Sequence, residues 1–200
     1  MLILASRSPR RQELLRSAGI PFRVVAPADD ETPLLHHRGR YADFVRRVAL
    51  AKALSLGQPL PGVVLAADTI VVCDGILMGK PTDAADARQM IRRLSGRWHR
   101  VYTGMALVHG PRAMTDYQST RVAFRRLTDR EINRYVATGE PLDKAGAYAI
   151  QGHGAALIRT VSGCYSNVIG LPVPKLLAML AAFRVASSAP GRPASGGPQA

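Results

Sequence analysis

The sequence predicts an α/β fold: an extended mixed β-sheet with flanking helices and a cleft. Strand and helix patterns alternate through the first half of the chain, a strand-rich block follows, and polar residues gather where apolar strands end, which is where α/β sheets collect ligands. With 200 residues, 47% of them hydrophobic, the chain has enough apolar side chain for one core of ordinary domain size.

The first strand is a short apolar run of about four residues within Leu2-Ile3-Leu4-Ala5. Ser8 then stands where an N-cap belongs, Pro9 takes the favoured first helical position, and the helix carries Leu14 and Leu15 on one face before Gly19 stops it. Phe22 to Ala26 reads as a second strand, followed by the acidic loop Asp29-Asp30-Glu31. Helical spacing through Tyr41, Phe44, Val45, Val48 and Ala51 or Lys52 marks a helix over 38–56, with Gly57 as its stop. Val63 to Ala67 is a fully apolar strand that ends in Asp68-Thr69, resumes at Ile70 to Val72, and turns at Asp74-Gly75 into Ile76 to Met78. Gly79-Lys80-Pro81 follows, and Thr82 or Asp83 caps a helix to Leu94.

In the second half, Val101 to Val108 and Asp116 to Arg126 read as strands joined at His109-Gly110-Pro111. Thr128 and Glu131 form a capping box for a helix ending at Ala137. The segment 144–151 reads as a loop or irregular strand. Ala155 to Val161 and Cys164 to Ile169 are expected to pair as a hairpin about Ser162-Gly163, and Val173 to Phe183 is the last helix. One domain over 1–186 is expected, with a disordered Pro/Gly/Ser/Ala-rich tail over 187–200.

The formal charge of +13 indicates an anionic partner without naming it. The arginine pairs at 10/11, 46/47, 92/93 and 125/126 are scattered over different elements, and no helix-turn-helix, zinc-finger or RNA-binding strand pattern accompanies them. Most of this charge is expected on a solvated surface, so nucleic acid is not expected as a specific partner. No apolar run reaches the roughly 18 residues of a membrane span, and no secretory leader pattern opens the chain, so a cytoplasmic location is expected. Cys73 and Cys164 lie far apart in apolar surroundings and read as small core residues rather than a disulfide or metal pair. None of the five histidines shows metal-ligand spacing.

Four polar features share one kind of position. Ser6 to Arg11 follows the first strand, Glu31 the second, Asp68 the third, and Lys80 the hairpin after it. Two carboxylates among them suit a divalent cation, and the hydroxyl, arginines and lysine suit phosphate oxygens near a helix N-terminus. The residues alone leave a second interpretation open: a capped surface helix with solvated arginines, a turn aspartate and surface lysines. Trp98 and Tyr148 are open in the same way, as base-stacking or core aromatics.

The segments LASRSPRRQELL, AADTIVVCDGILMGKP, LSGRWHRVYTG, EPLDKAGAYAIQG and NVIGLPVPKL, in this order over roughly residues 2–180, resemble the Maf family of nucleoside triphosphate pyrophosphatases. The resemblance implies a Maf/ITPase-like α/β fold of two lobes around a central cleft, a divalent metal (Mg²⁺ or Mn²⁺), commonly a homodimer, and cleavage of a nucleoside triphosphate to the monophosphate and pyrophosphate. It implies that Asp68 is the proton acceptor, that Lys52 and Lys80 serve catalysis, that Ser6, Arg10 and Arg11 bind phosphate, and that Glu31 and Asp68 hold metal. Arg10, Thr69 and Gln151 resemble the branch acting on dTTP and UTP, with modified pyrimidine nucleotides as a further substrate class. The branch acting on 7-methyl-GTP has a K-S-E-G-type segment where this chain has Ala149-Ile150-Gln151-Gly152. A neutral amide suits a pyrimidine edge because it offers both a donor and an acceptor. Ala66 and Ala149 depart from the family by standing where glycine is frequent. The family's older name, septum-formation protein, raises the alternative of a regulator of cell division; the full polar set speaks for an enzyme.

Overall fold

In a computed structural model the residues described are 1–27, 40–57 and 60–188. Seven strands form one mixed sheet in the order β2-β1-β3-β5-β6-β7, with β4 paired to β3 off this path. The strands are β1 (Leu2–Leu4), β2 (Phe22–Val24), β3 (Val63–Cys73), β4 (Ile76–Met78), β5 (Trp98–His109), β6 (Arg112–Phe124) and β7 (Ile158–Ser162). The helices are α1 (Pro9–Ser17), α2 (Tyr41–Leu54), α3 (Ala84–Leu94), α4 (Asp129–Ala137), α5 (Tyr165–Ile169) and α6 (Val173–Ser188).

The caps read from the sequence form. The Ser8 side chain accepts from the Arg11 amide, Asp83 rather than Thr82 caps α3 by accepting from Asp86, and both halves of the Thr128–Glu131 capping box are made.

β3 organises the molecule. Along one edge it pairs with β5 without interruption, from Val64 to Val72. Along the other it pairs in parallel with β1 up to Leu65 and antiparallel with β4 only from Val71 onward. Asp68 lies at the middle of the gap between them. Because β1 runs parallel to β3 and β4 runs against it, the C-terminal ends of both strands point into this gap, bringing the residues after Leu4 and after Met78 to the same place.

The two faces of β3 are covered differently. Val64 and Ala66 pack with Ala49 and Ala53, and Ile70 and Val72 with Phe44, Val45 and Val48, so α2 spans that whole face with Asp68 beneath it. On the opposite face Leu65 and Ala67 pack with Leu15 of α1 and with Leu176, Met179 and Phe183 of α6. Val71 and Cys73 pack with Ile91 of α3 and with Ile132 and Val136 of α4. These two helix groups are the two lobes, and the cleft opens between them.

Several expectations are corrected. The strand through Asp68 does not end there: β3, 11 residues in all, runs on to Cys73, because its partner β5 runs alongside. Cys164 to Ile169 is not a strand. It forms the short helix α5, since the buried Asn167 side chain donates to Val101 O and Thr120 Oγ1 and secures a helical turn against the sheet. Strand β7 begins at Ile158, after a stretch of 3₁₀ turns, and pairs with β6 instead. Cys73 is buried, whereas Cys164 is half-buried. Helix α6 runs to Ser188, two residues into the stretch expected as a tail, and 189–200 lie outside the described residues.

Gly104, opposite Asp68 in the sheet, lies hard against α2: a Cβ there would lie 2.2 Å from the Val45 carbonyl oxygen. Gly104→Ala is expected to force α2 off the sheet and to cost roughly 2 kcal/mol, within the range for overpacking a tight core. A lower midpoint in urea unfolding with an unchanged slope checks this.

Candidate active site

A cavity of about 370 Å³ occupies the gap beside β3. Its wall includes Arg10, Arg11, Lys52, Asp68, Thr69, Lys80 and Gln151, seven of the nine residues singled out in the sequence. Ser6 stands directly behind Arg11, and Glu31 falls outside the described residues.

Asp68 and Lys52 are the buried centre. Lys52 Nζ donates to Asp68 Oδ1 at 2.8 Å, with the two side chains only 7% and 2% exposed. Lys52 projects from the same side of α2 as Val45, Val48 and Ala49, so the helix's packing face delivers the ammonium to the strand. Neither charge is tolerable at this depth alone, which makes the pair a structural necessity as well as a chemical resource.

On the other face of β3, Arg11 is buried and committed to the protein. Its Nε donates to Gly170 O at 2.9 Å, one terminal nitrogen to Ser6 Oγ at 3.1 Å and the other to Thr69 Oγ1 at 3.2 Å. Thr69 Oγ1 lies 3.0 Å from Thr103 Oγ1, and Thr103 donates to Asn167 O. The paired arginines therefore differ in role: Arg11 ties the turn after β1 to β3 and α5, while Arg10 is more open and reaches Asp143 at 3.4 Å. Lys80, exposed, enters from the end of β4.

The far wall is formed by 143–151. Asp143 receives Lys144 Nζ at 2.6 Å; burial opposes its ionisation, but Lys144 and Arg10 hold its carboxyl below the usual range. Gly146 has a φ of 70° and lies so close to Val71 that a Cβ would come within 2.8 Å of that side chain, letting this segment settle onto β3. Asp143, Lys144 and Tyr148 are wall residues that were not assigned from the sequence; the charged pair inside a glycine-punctuated loop was the available signal. Of the two aromatics left open, Tyr148 lines the cavity, while Trp98 lies elsewhere under the Arg121 guanidinium, 4.4 Å from its ring centre.

Behind Tyr148, His99 Nε2 shares a 2.8 Å hydrogen bond with the tyrosine hydroxyl, and both rings meet Phe124 edge-on. Burial lowers the His99 pKa from 6.5 to about 4.

These donors suit a divalent cation of the Mg²⁺ kind. Asp68 offers hard oxygen, and no group of three or more His, Cys, Asp or Glu stands together among the described residues. A carboxylate oxygen is the kind of ligand that such a hard cation takes. With Lys52, Lys80 and Arg10 around a buried carboxylate, the cleft is chemically fitted to a polyanion that must also meet a base.

Fold and site together define an α/β protein with a polyanion-binding cleft between two lobes. A family model described as Maf-like protein matches residues 1–183, and the chain belongs to that family. It is 53% identical over 183 residues to a dTTP/UTP pyrophosphatase of Symbiobacterium thermophilum, covering 91% of this chain and 93% of the relative. A protein of the same name from Geobacter sp. (strain M21) is 52% identical over 176 residues, covering 86% and 90%. Another, from Moorella thermoacetica, is 49% identical over 187 residues, covering 92% and 95%. Among solved structures, the Staphylococcus aureus Ham1 protein aligns with a TM-score of 0.49 at 12% identity, covering 91% of this chain and 98% of its own. Among the described residues no helix is long and apolar enough to cross a membrane.

Two outcomes are expected. Lys52→Met leaves the Asp68 charge buried without its lysine and should cost on the order of 3 kcal/mol in chemical unfolding. His99 should make stability depend on pH: between pH 4 and 6.5 the unfolded histidine is protonated and the folded one is not, so stability is complete above pH 6.5 and falls as pH drops toward 4. The full loss is about 3 kcal/mol, and unfolding curves at pH 7 and pH 5 should converge for His99→Gln.

Proposed function

We propose that the chain hydrolyses nucleoside triphosphates, dTTP and UTP foremost, at the α–β phosphate bridge to give the monophosphate and pyrophosphate. The observation that carries this reading is the buried Asp68 carboxylate facing a cleft ringed by Arg10, Lys52 and Lys80, in a chain whose half-identical relatives bear the name dTTP/UTP pyrophosphatase.

Asp68 accepts a proton from water as the water oxygen bonds to phosphorus. The bond from that phosphorus to the bridging oxygen breaks, and pyrophosphate leaves with the electron pair. Lys52 holds the Asp68 carboxylate in place through their 2.8 Å contact. Lys80 and Arg10 receive the polyphosphate, and Arg11 keeps Ser6 and Thr69 fixed on the wall. A divalent cation held by Asp68, and by Glu31 as the sequence implies, would neutralise polyphosphate charge and polarise the reacting group. Gln151, exposed at the rim, pairs with the pyrimidine edge through its amide, and Tyr148 presents a rigid ring beside it. The enzyme is read as cytoplasmic and homodimeric, with modified pyrimidine nucleotides as further substrates and residues 1–186 as its domain.

Incubation with separate triphosphates and Mg²⁺ or Mn²⁺ tests the reading. Pyrophosphate from dTTP and UTP is expected; release of orthophosphate, or turnover confined to purines, overturns it. Asp68→Asn should lower kcat by about 10²- to 10⁴-fold, the usual worth of a general base, measured per folded protein, because it also leaves Lys52 buried without its partner and lowers stability.

A further inference from the structure

Gln151, Gly152 and His153 are exposed, so their conformation draws little from apolar burial and depends on hydrogen bonds to the loop's neck. One Tyr–Glu pair supplies these. Tyr135 on α4 accepts the Ala149 amide at 3.0 Å and donates to Glu140 Oε1 at 2.9 Å. Glu140 Oε1 also accepts the Gly154 amide at 3.0 Å, and Oε2 accepts the His153 amide at 3.0 Å. Ala149 and Gly154 close against each other here, since a Cβ on Gly154 would lie 2.2 Å from Ala149 O. Gly152, at a φ of 65°, sits directly over the carboxylate: a Cβ there would be 2.6 Å from Oε2.

Glu140 also reaches the other side of the cleft. Its backbone carbonyl accepts from Lys144 Nζ, the ammonium also binds Asp143, and Asp143 pairs with Arg10. Arg10 and Gln151, approaching from opposite walls, are thus joined through the 140–144 turn.

We propose that Glu140, with Tyr135, is the positioning residue for base selection: it holds the 149–154 loop so that the Gln151 amide faces the pyrimidine edge. This rests on the reading of Gln151 as the base-recognising residue. Three donated hydrogen bonds require an acceptor-only group with several lone pairs, which a carboxylate is and an amide is not. Burial works against the charged form, but the hydrogen bonds from Tyr135, Gly154 and His153 outweigh it and hold the Glu140 carboxyl below the usual range.

The test compares kcat/KM for UTP and GTP. In Glu140→Gln the preference for UTP over GTP should fall by about tenfold or more, through loss on UTP, because a misaimed polar group forfeits hydrogen-bonded discrimination. GTP turnover should stay within about threefold, the scale of a change that leaves catalytic contacts intact. Gln151→Ala should show the same collapse, and Glu140→Gln combined with Gln151→Ala should be no worse than Gln151→Ala alone, the signature of two residues acting through one contact. An equal loss on both nucleotides, an unchanged preference, or additive losses would each overturn the proposal in favour of a purely structural carboxylate. If Glu140→Gln fails to fold, Tyr135→Phe, which keeps the ring and removes only the hydroxyl, carries the same comparison. A wild-type protein with no pyrimidine preference would instead remove the reading of Gln151 itself.

Discussion

A strand bonded along its whole length on one side and only at its two ends on the other has to place something in the interval, and in β3 that interval holds Asp68. The carboxylate is tolerated there because Lys52 arrives from the packing face of α2 at 2.8 Å. Much else follows from this pair and the gap that contains it. β1 and β4 approach β3 in opposite directions, so the polar residues beyond both strands converge on the carboxylate. Gly104, across the ladder from Asp68, lets α2 lie low enough on the sheet to carry Lys52 inward.

One wall of the cleft is fixed by polar groups that are mostly buried. Arg11, Thr69, Thr103, Asn167 and Thr120 form a continuous chain from the turn after β1 through β3 and β5 to α5 and β6. Inside a protein such a chain is costly when incomplete and strongly directional when satisfied, so it sets the cleft wall more sharply than apolar packing would. Asn167 Oδ1 is where satisfaction stops short in this chain. The remaining arginines are mostly spent at the surface: Arg92 on Asp129, Arg125 on Glu131, Arg97 on Asp74. Exposed pairs of this kind contribute little to stability, and the large positive charge is chiefly a property of the solvated exterior. The few cations that line the cleft are the ones that bear on function.

Local chemistry was legible in the sequence wherever it acts over a few residues. Ser8 and Pro9 announced α1, Thr128 and Glu131 announced α4, Asp74-Gly75 announced the β3–β4 turn, and the apolar spacing announced α2 while leaving open whether Ala51 or Lys52 faced the sheet. The polar residues at strand ends were legible for the same reason, and they do assemble around one cavity. What failed was whatever depended on a distant partner. Asp68-Thr69 looked like the end of a strand because polar residues usually end buried strands, yet β5 carries the strand onward. Cys164 to Ile169 has strand-like composition but too short a run to show its period, and Asn167 reaching two neighbouring strands decides for helix. Tertiary structure alone decided that Arg11 is turned inward while Arg10 faces Asp143, and that one glutamate holds the loop of Gln151. Caps, turns and helix faces are written in contiguous residues; strand continuation and hydrogen bonds between residues more than a hundred positions apart exist only once the chain has closed.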